Sequence, residues 1–68
     1  MSEISLEVGK RIRYFRQNRR MTLDELASVI YKSKATISKY EKGEISLDIE
    51  TLYSLADALH VQVEQLLY

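Results

Sequence analysis

An all-α fold of five short helices is the architecture this sequence predicts, on three observations. Proline is absent and glycine occurs only twice in 68 residues, which favours helices joined by tight turns over strands or linkers. Apolar residues recur at helical spacing, in stretches too brief for long elements. Thr22, Ser33 and Asp48 each stand just before such a stretch, where a side-chain oxygen satisfies the amides that a helix start leaves unpaired.

The elements follow in order. Val8, Ile12 and Phe15 form the buried stripe of a first helix from about Leu6 to Arg19, with Lys10, Arg11, Arg13 and Arg16 on its flanks. Thr22 and Glu25 make a capping box, and Leu26, Ala27 and Ile30 give the second helix its inner face, ending near Ile30. Ser33 caps a third helix that reaches Lys42, and Gly43 supplies the permissive backbone of its exit. Asp48 caps a fourth, with Ile49, Leu52, Leu55, Ala56 and Leu59 directed inward. His60 takes a helix-terminal role, and Val63, Leu66 and Leu67 mark a fifth helix of about a turn and a half. No internal repeat interrupts the series.

Length allows one domain, residues 1–68, with no room for a second. A chain this small buries only roughly 60% of its unfolded surface, so its core must pack efficiently or be helped by association. The absence of cysteine excludes disulfides, thiolate catalysis and zinc clusters, and the lone His60 makes a metal site improbable. Asp24 and Glu25 are adjacent and point to different sides of a helix, so they do not form an acid–base pair. These absences point away from an enzyme, with no small-molecule substrate and no cofactor. No apolar run approaches the ~18 residues of a membrane span, and Met1 to Ser5 lacks a leader pattern, so the expectation is an unprocessed cytoplasmic protein.

Zero net charge conceals a polarised molecule. All ten lysines and arginines fall between Lys10 and Lys42, against Asp24, Glu25 and Glu41 in the same interval. The remainder toward the C-terminus is purely acidic, with Glu44, Asp48, Glu50, Asp57 and Glu64. The basic part attracts polyanions even in a neutral chain, and the acids of the later helices would face away from such a ligand. The third helix, Ser33 to Lys42, carries small, hydroxylated or cationic side chains around one apolar anchor, Ile37, while Tyr40 packs on the body. Only Tyr31 and Lys32 separate the second helix from the Ser33 cap. This is the spacing of a helix-turn-helix, about residues 22–42, whose second helix suits a DNA major groove.

Thr22-Leu23-Asp24-Glu25-Leu26-Ala27, Ser33, Thr36-Ile37-Ser38-Lys39-Tyr40-Glu41-Lys42-Gly43, and then Leu52, Leu55, Ala56, Ala58 and Leu59 resemble the Cro/C1-type phage-repressor family, or XRE family. The resemblance spans roughly Val8 to Leu67. It implies a five-helix, lambda-repressor-like domain that binds operator DNA as a homodimer, acts as a transcriptional regulator and needs no cofactor. It places Lys34, Ala35, Thr36, Ser38 and Lys39 at the base edges. Lysine there suits guanine O6 and N7, a hydroxyl suits either kind of edge, and the methyl of Ala35 or Thr36 suits the thymine methyl. Phosphate contacts would come from Ser33, flanked by Lys32 and Lys42, and from Thr22 with Arg19 and Arg20. Arg16 and Glu41 correspond to the family's structural salt bridge.

Three departures from the family pattern carry expectations, one of them the loop Glu44-Ile45-Ser46 after Gly43, where the family often has basic residues and here only backbone amides would meet phosphates. Tyr31 stands where a glycine commonly closes the second helix, so it must take a left-handed conformation, at roughly 1–2 kcal/mol, or alter the turn. Leu23 occupies a position where a polar residue commonly reaches DNA, and is expected as an exposed leucine. The surplus apolar surface of the C-terminal segment nominates Leu67 and Tyr68 for a two-fold interface. The resulting function is sequence-specific binding of double-stranded DNA at a pseudo-palindromic operator, most simply as a repressor at the nucleoid. The rival is a protein-interaction module, such as an antitoxin or anti-repressor target, for which DNA is secondary. A stoichiometric protein partner without salt-dependent DNA binding would distinguish it.

Overall fold

The computed structural model describes residues 3–68. Five helices and no strand occur among them: α1, Glu3–Asn18; α2, Leu23–Val29; α3, Lys34–Glu41; α4, Ile49–Leu59; and α5, Val63–Leu67. The all-α expectation holds, with α1 starting three residues before the expected Leu6 and ending one before Arg19. α1 is the spine, packing on α3, α5 and α4, while α2 packs on α3. Ile12, Leu26, Ile37, Leu55, Leu59 and Leu66 are the fully enclosed side chains, so every helix contributes one or two to a single apolar cluster. Each such burial stabilises by about 1.5–3 kcal/mol before chain entropy is charged against it.

The caps form as anticipated. The Thr22 hydroxyl accepts from the Glu25 amide at 3.0 Å while the Thr22 amide donates to the Glu25 carboxylate at 2.8 Å. Ser33 Oγ accepts from the Thr36 amide at 3.1 Å, and Asp48 Oδ1 from the Thr51 amide at 2.9 Å. The four longer helices end alike. A residue with φ between 56° and 71° follows each of them: Arg20, Tyr31, Gly43 and His60. Beyond each, an amide donates across the turn to a carbonyl five residues earlier: Met21 to Arg16, Lys32 to Ala27, Glu44 to Lys39, Val61 to Ala56. This closure satisfies carbonyls that a helix end would otherwise leave open. Tyr31 therefore resolves its two options in favour of the left-handed conformation, and the turn keeps its geometry.

Two side chains lie differently from the expectation. Ile49, expected inward, is 71% exposed: as the first residue of α4 it precedes the turn whose Thr51, Leu52, Leu55 and Ala56 meet the core. Leu23, expected outside, is half-buried and packs against the core cluster, because α2 presents the beginning as well as the middle of its length to the body. Arg16 is not an exposed flank either. Its side chain is only 12% accessible.

Candidate nucleic-acid interface

The interface is built on α3. Ile37 and Tyr40 are buried and fix the helix to the body. The Ser33 cap sets where the helix begins and takes up the Thr36 amide, leaving the amides of Lys34 and Ala35 without intrahelical acceptors. Ala35, Lys39 and Lys42 then recur at i, i+4 and i+7 opposite Ile37, forming one exposed line, and Lys34 stands exposed beside it. Ser38, one turn after Lys34, is half-buried at the edge of this face. Thr36 is set further back. It is half-buried, and its hydroxyl shares a 2.9 Å hydrogen bond with that of Ser33. Of the residues expected at base edges, Lys34, Ala35 and Lys39 are thus the most open.

The expected phosphate contacts lie around this face. Lys32, Ser33 and Lys42 are exposed at the two ends of α3, and Arg19, Arg20 and Thr22 are exposed where α1 turns into α2. Arg20 occupies the left-handed turn itself. Lys32 also lies near Asp48. Hydrogen bonds from Thr51, chiefly, and then the Lys32 charge hold the Asp48 carboxyl below its ordinary value. The ion pairs among the described residues are Glu7 with Lys10 and with Arg11, and Arg16 with Glu41. Arg13, Arg19, Arg20, Lys34, Lys39 and Lys42 have no acidic partner there. The first turn of α3 contains no acidic residue, unlike those of α2 and α4. A carboxylate would stabilise that helix start, so a lysine there favours an external anion over the helix's own stability.

Two features hold α3 in place. Arg16 Nε donates to Glu41 Oε2 at 2.6 Å and Arg16 NH2 to Glu41 Oε1 at 3.1 Å, while Arg16 NH1 donates to the Met21 carbonyl at 2.8 Å. The expected salt bridge therefore joins α1, the α1–α2 turn and the end of α3. The second feature went unanticipated. Gly9 lets α1 lie directly against the last turn of α3, where an added Cβ would stand 2.6 Å from the Glu41 carbonyl oxygen and closer still to that of Tyr40. A glycine inside an otherwise regular helical stretch is the only trace of this in the sequence.

Leu67 and Tyr68 are brought together at the end of α5. Leu67 is half-buried against the core and Tyr68 is 86% exposed, both bordering a shallow depression with Ile4 and Arg11. His60 caps α4, as expected. No group of His, Cys, Asp or Glu with the makings of a metal site occurs among the described residues, and no helix there is long and apolar enough to cross a membrane.

A capped helix held firmly at one end, presenting cations and small side chains outward beside a second helix start, is the arrangement of a helix-turn-helix DNA-binding domain. The chain belongs to the helix-turn-helix family of Cro/C1 (XRE) type, whose model matches residues 12–66. It is similar to the clp gene regulator ClgR from Corynebacterium glutamicum, with 30% identity and a TM-score of 0.91 over 98% of this chain and 87% of that one. It is likewise similar to an HTH_3 family transcriptional regulator from Vibrio cholerae, with 27% identity and a TM-score of 0.85 over 93% of this chain and 35% of that one. The restriction-modification controller protein C.AhdI from Aeromonas hydrophila shares the fold at 21% identity, with a TM-score of 0.86 over 90% of this chain and 92% of that one. No curated protein sequence matches the chain. Family and fold together make this a DNA-binding domain of transcription regulation.

Proposed function

We propose that the chain is the DNA-binding domain of a repressor that binds a pseudo-palindromic operator as a homodimer, at the nucleoid in the cytoplasm. The observation that carries the reading is the outward line of α3, where uncompensated lysines and small side chains follow a capped helix start free of acids. Lys34, Ala35 and Lys39 read base edges, with Ser38 and Thr36 beside them. Lysine donation to guanine and methyl contact with thymine give G·C and T·A preferences in each half-site. Ser33, Lys32 and Lys42 hold phosphates around α3, and Thr22, Arg19 and Arg20 hold them at the start of α2. A two-fold axis through Leu67 and Tyr68 sets two recognition helices about one DNA turn apart, ~34 Å. Repression follows from occupancy, because a dimer seated in successive major grooves of a promoter excludes other proteins from them.

Selection of bound duplexes from a random library, followed by titration of the selected sequences at several salt concentrations, tests this. An enriched two-fold motif with half-site centres about ten base pairs apart and a steep salt dependence is the expected result. A stoichiometric protein partner, with no enriched sequence and no salt-dependent duplex binding, would replace it with the interaction-module reading.

A further inference from the structure

We propose that Arg13 is a further phosphate-contacting residue, extending along α1 the backbone grip assigned above to Thr22 and Arg20. The inference rests on the DNA-binding reading. Gly9, Arg13 and Arg16 stand at i, i+4 and i+7 of α1 and so share one face of that helix. Both outer members meet the end of α3: Gly9 lies under the Tyr40 and Glu41 carbonyls, and Arg16 grips the Glu41 carboxylate. Arg13, between them, therefore lies on the α3 side of α1. A long cationic side chain there emerges beside the recognition helix instead of behind the molecule. One turn beyond Arg16, the same end of α1 leads through Arg20 to the Thr22 cap. The face thus spans from the last turn of α3 to the first turn of α2.

Its charge points the same way. The acids within reach of this face are already engaged, since Glu41 is taken up by Arg16, and Glu7 pairs with Lys10 at 3.6 Å and Arg11 at 3.9 Å. Arg13 is exposed and has no acidic partner among the described residues. An arginine whose only role was to solvate a helix surface gains a few tenths of a kcal/mol from an i+3 or i+4 acid. The positions that would supply one toward the C-terminus of α1 are Arg16 and Gln17, so the sequence keeps this charge uncompensated. A phosphate, whose two free oxygens accept from the planar fork of guanidinium donors, is the ligand a free guanidinium suits best. Arg11 offers the contrast. It is half-buried, paired with Glu7 and borders the depression near Leu67, on the other side of α1.

The test compares the parent with R13Q, R13K and R11Q, measuring affinity for the selected operator and for a scrambled duplex across a salt series. R13Q should lower the slope of log K against log salt by about 0.9, the loss of one phosphate contact, and weaken both duplexes by the same factor. R13K should retain the slope, and R11Q should bind as the parent does. Unchanged melting temperatures separate these effects from misfolding. A parent slope retained by R13Q overturns the assignment while leaving the operator-binding reading intact, and weakening confined to the operator overturns it in favour of base contact. A parent with no salt-dependent binding removes both.

Discussion

Arg16 grips Glu41 with two hydrogen bonds, at 2.6 and 3.1 Å, across 25 residues of sequence. The Glu41 side chain is only 7% accessible, so the pair is largely withdrawn from water. A third hydrogen bond, to the Met21 carbonyl, ties the α1–α2 turn into the same guanidinium. The pair thus fixes the C-terminal end of the recognition helix to the element that leads into α2, which sets the angle at which the two helices of the motif present themselves.

Removing one partner leaves the other charge without compensation in a site that water reaches poorly. R16A or E41A should each cost about 3 kcal/mol, the lower end of the range for breaking a buried pair. The double replacement R16M/E41L should recover most of that loss in urea denaturation while still impairing DNA binding through α3 orientation. Wild-type stability in either single variant would sink the structural role.

Lys34 separates affinity from helix stability. K34A should relax preference at one operator base pair and cost roughly 1–3 kcal/mol of binding, whereas K42A should weaken all duplexes alike. K34E should abolish binding and yet raise thermal stability by about 0.3–1 kcal/mol, because a carboxylate in the first turn complements the helix dipole. Competition with scrambled duplexes and a melting curve read the two effects independently. A K34A variant that kept the parent's base preferences would reassign the reading face.

Tyr31 is 95% exposed at φ 59°, so its ring stabilises nothing in the fold that offsets the strained backbone. Y31G should stabilise by about 0.5–1 kcal/mol, the relief of left-handed strain less the greater freedom of glycine in the unfolded chain. A domain of this size would melt roughly 4 °C or more higher for each 1 kcal/mol gained. A lower melting temperature would mean that the tyrosine side chain itself supports the turn.

Asp48 gives the fold an acid-sensitive cap. Its carboxyl is held below the ordinary value by hydrogen bonds from Thr51 first and then by the Lys32 charge, against the opposing effect of desolvation, so the ionised form stabilises the native state. That contribution is present above the unfolded-state value near pH 4 and disappears as pH falls through the lower folded-state value. D48N keeps a cap acceptor and removes the titration. The advantage of the parent over D48N in melting temperature should therefore hold at neutral pH and shrink as pH falls below about 4. An advantage independent of pH would assign the effect to cap geometry alone.

What local chemistry governs was legible in the sequence. The capping oxygens of Thr22, Ser33 and Asp48 and the apolar spacing of Val8, Ile12, Leu26, Ile37, Leu55 and Leu66 fix where helices begin and which side they bury, because those rules act within one or two turns. The segregation of charge and the composition of Ser33 to Lys42 likewise required no structure. Family resemblance supplied the partnership of Arg16 with Glu41 and the positions proposed to read base edges. Local spacing carries no information about partners 25 residues apart.

Tertiary packing decided the rest. Helical periodicity placed Ile49, and the family pattern Leu23, on the wrong side, since the edge of a buried face depends on where a neighbouring helix stops. The role of Gly9 exists only because α3 lies against it, and the position of Arg13 beside the recognition helix follows from that same contact. Tyr31 could have deformed its turn, but the amide of Lys32 bonded to the Ala27 carbonyl holds it left-handed. The sequence by itself determined the helices and the charge of their surfaces, and the approach of α1 to α3 determined which of those charges share a face.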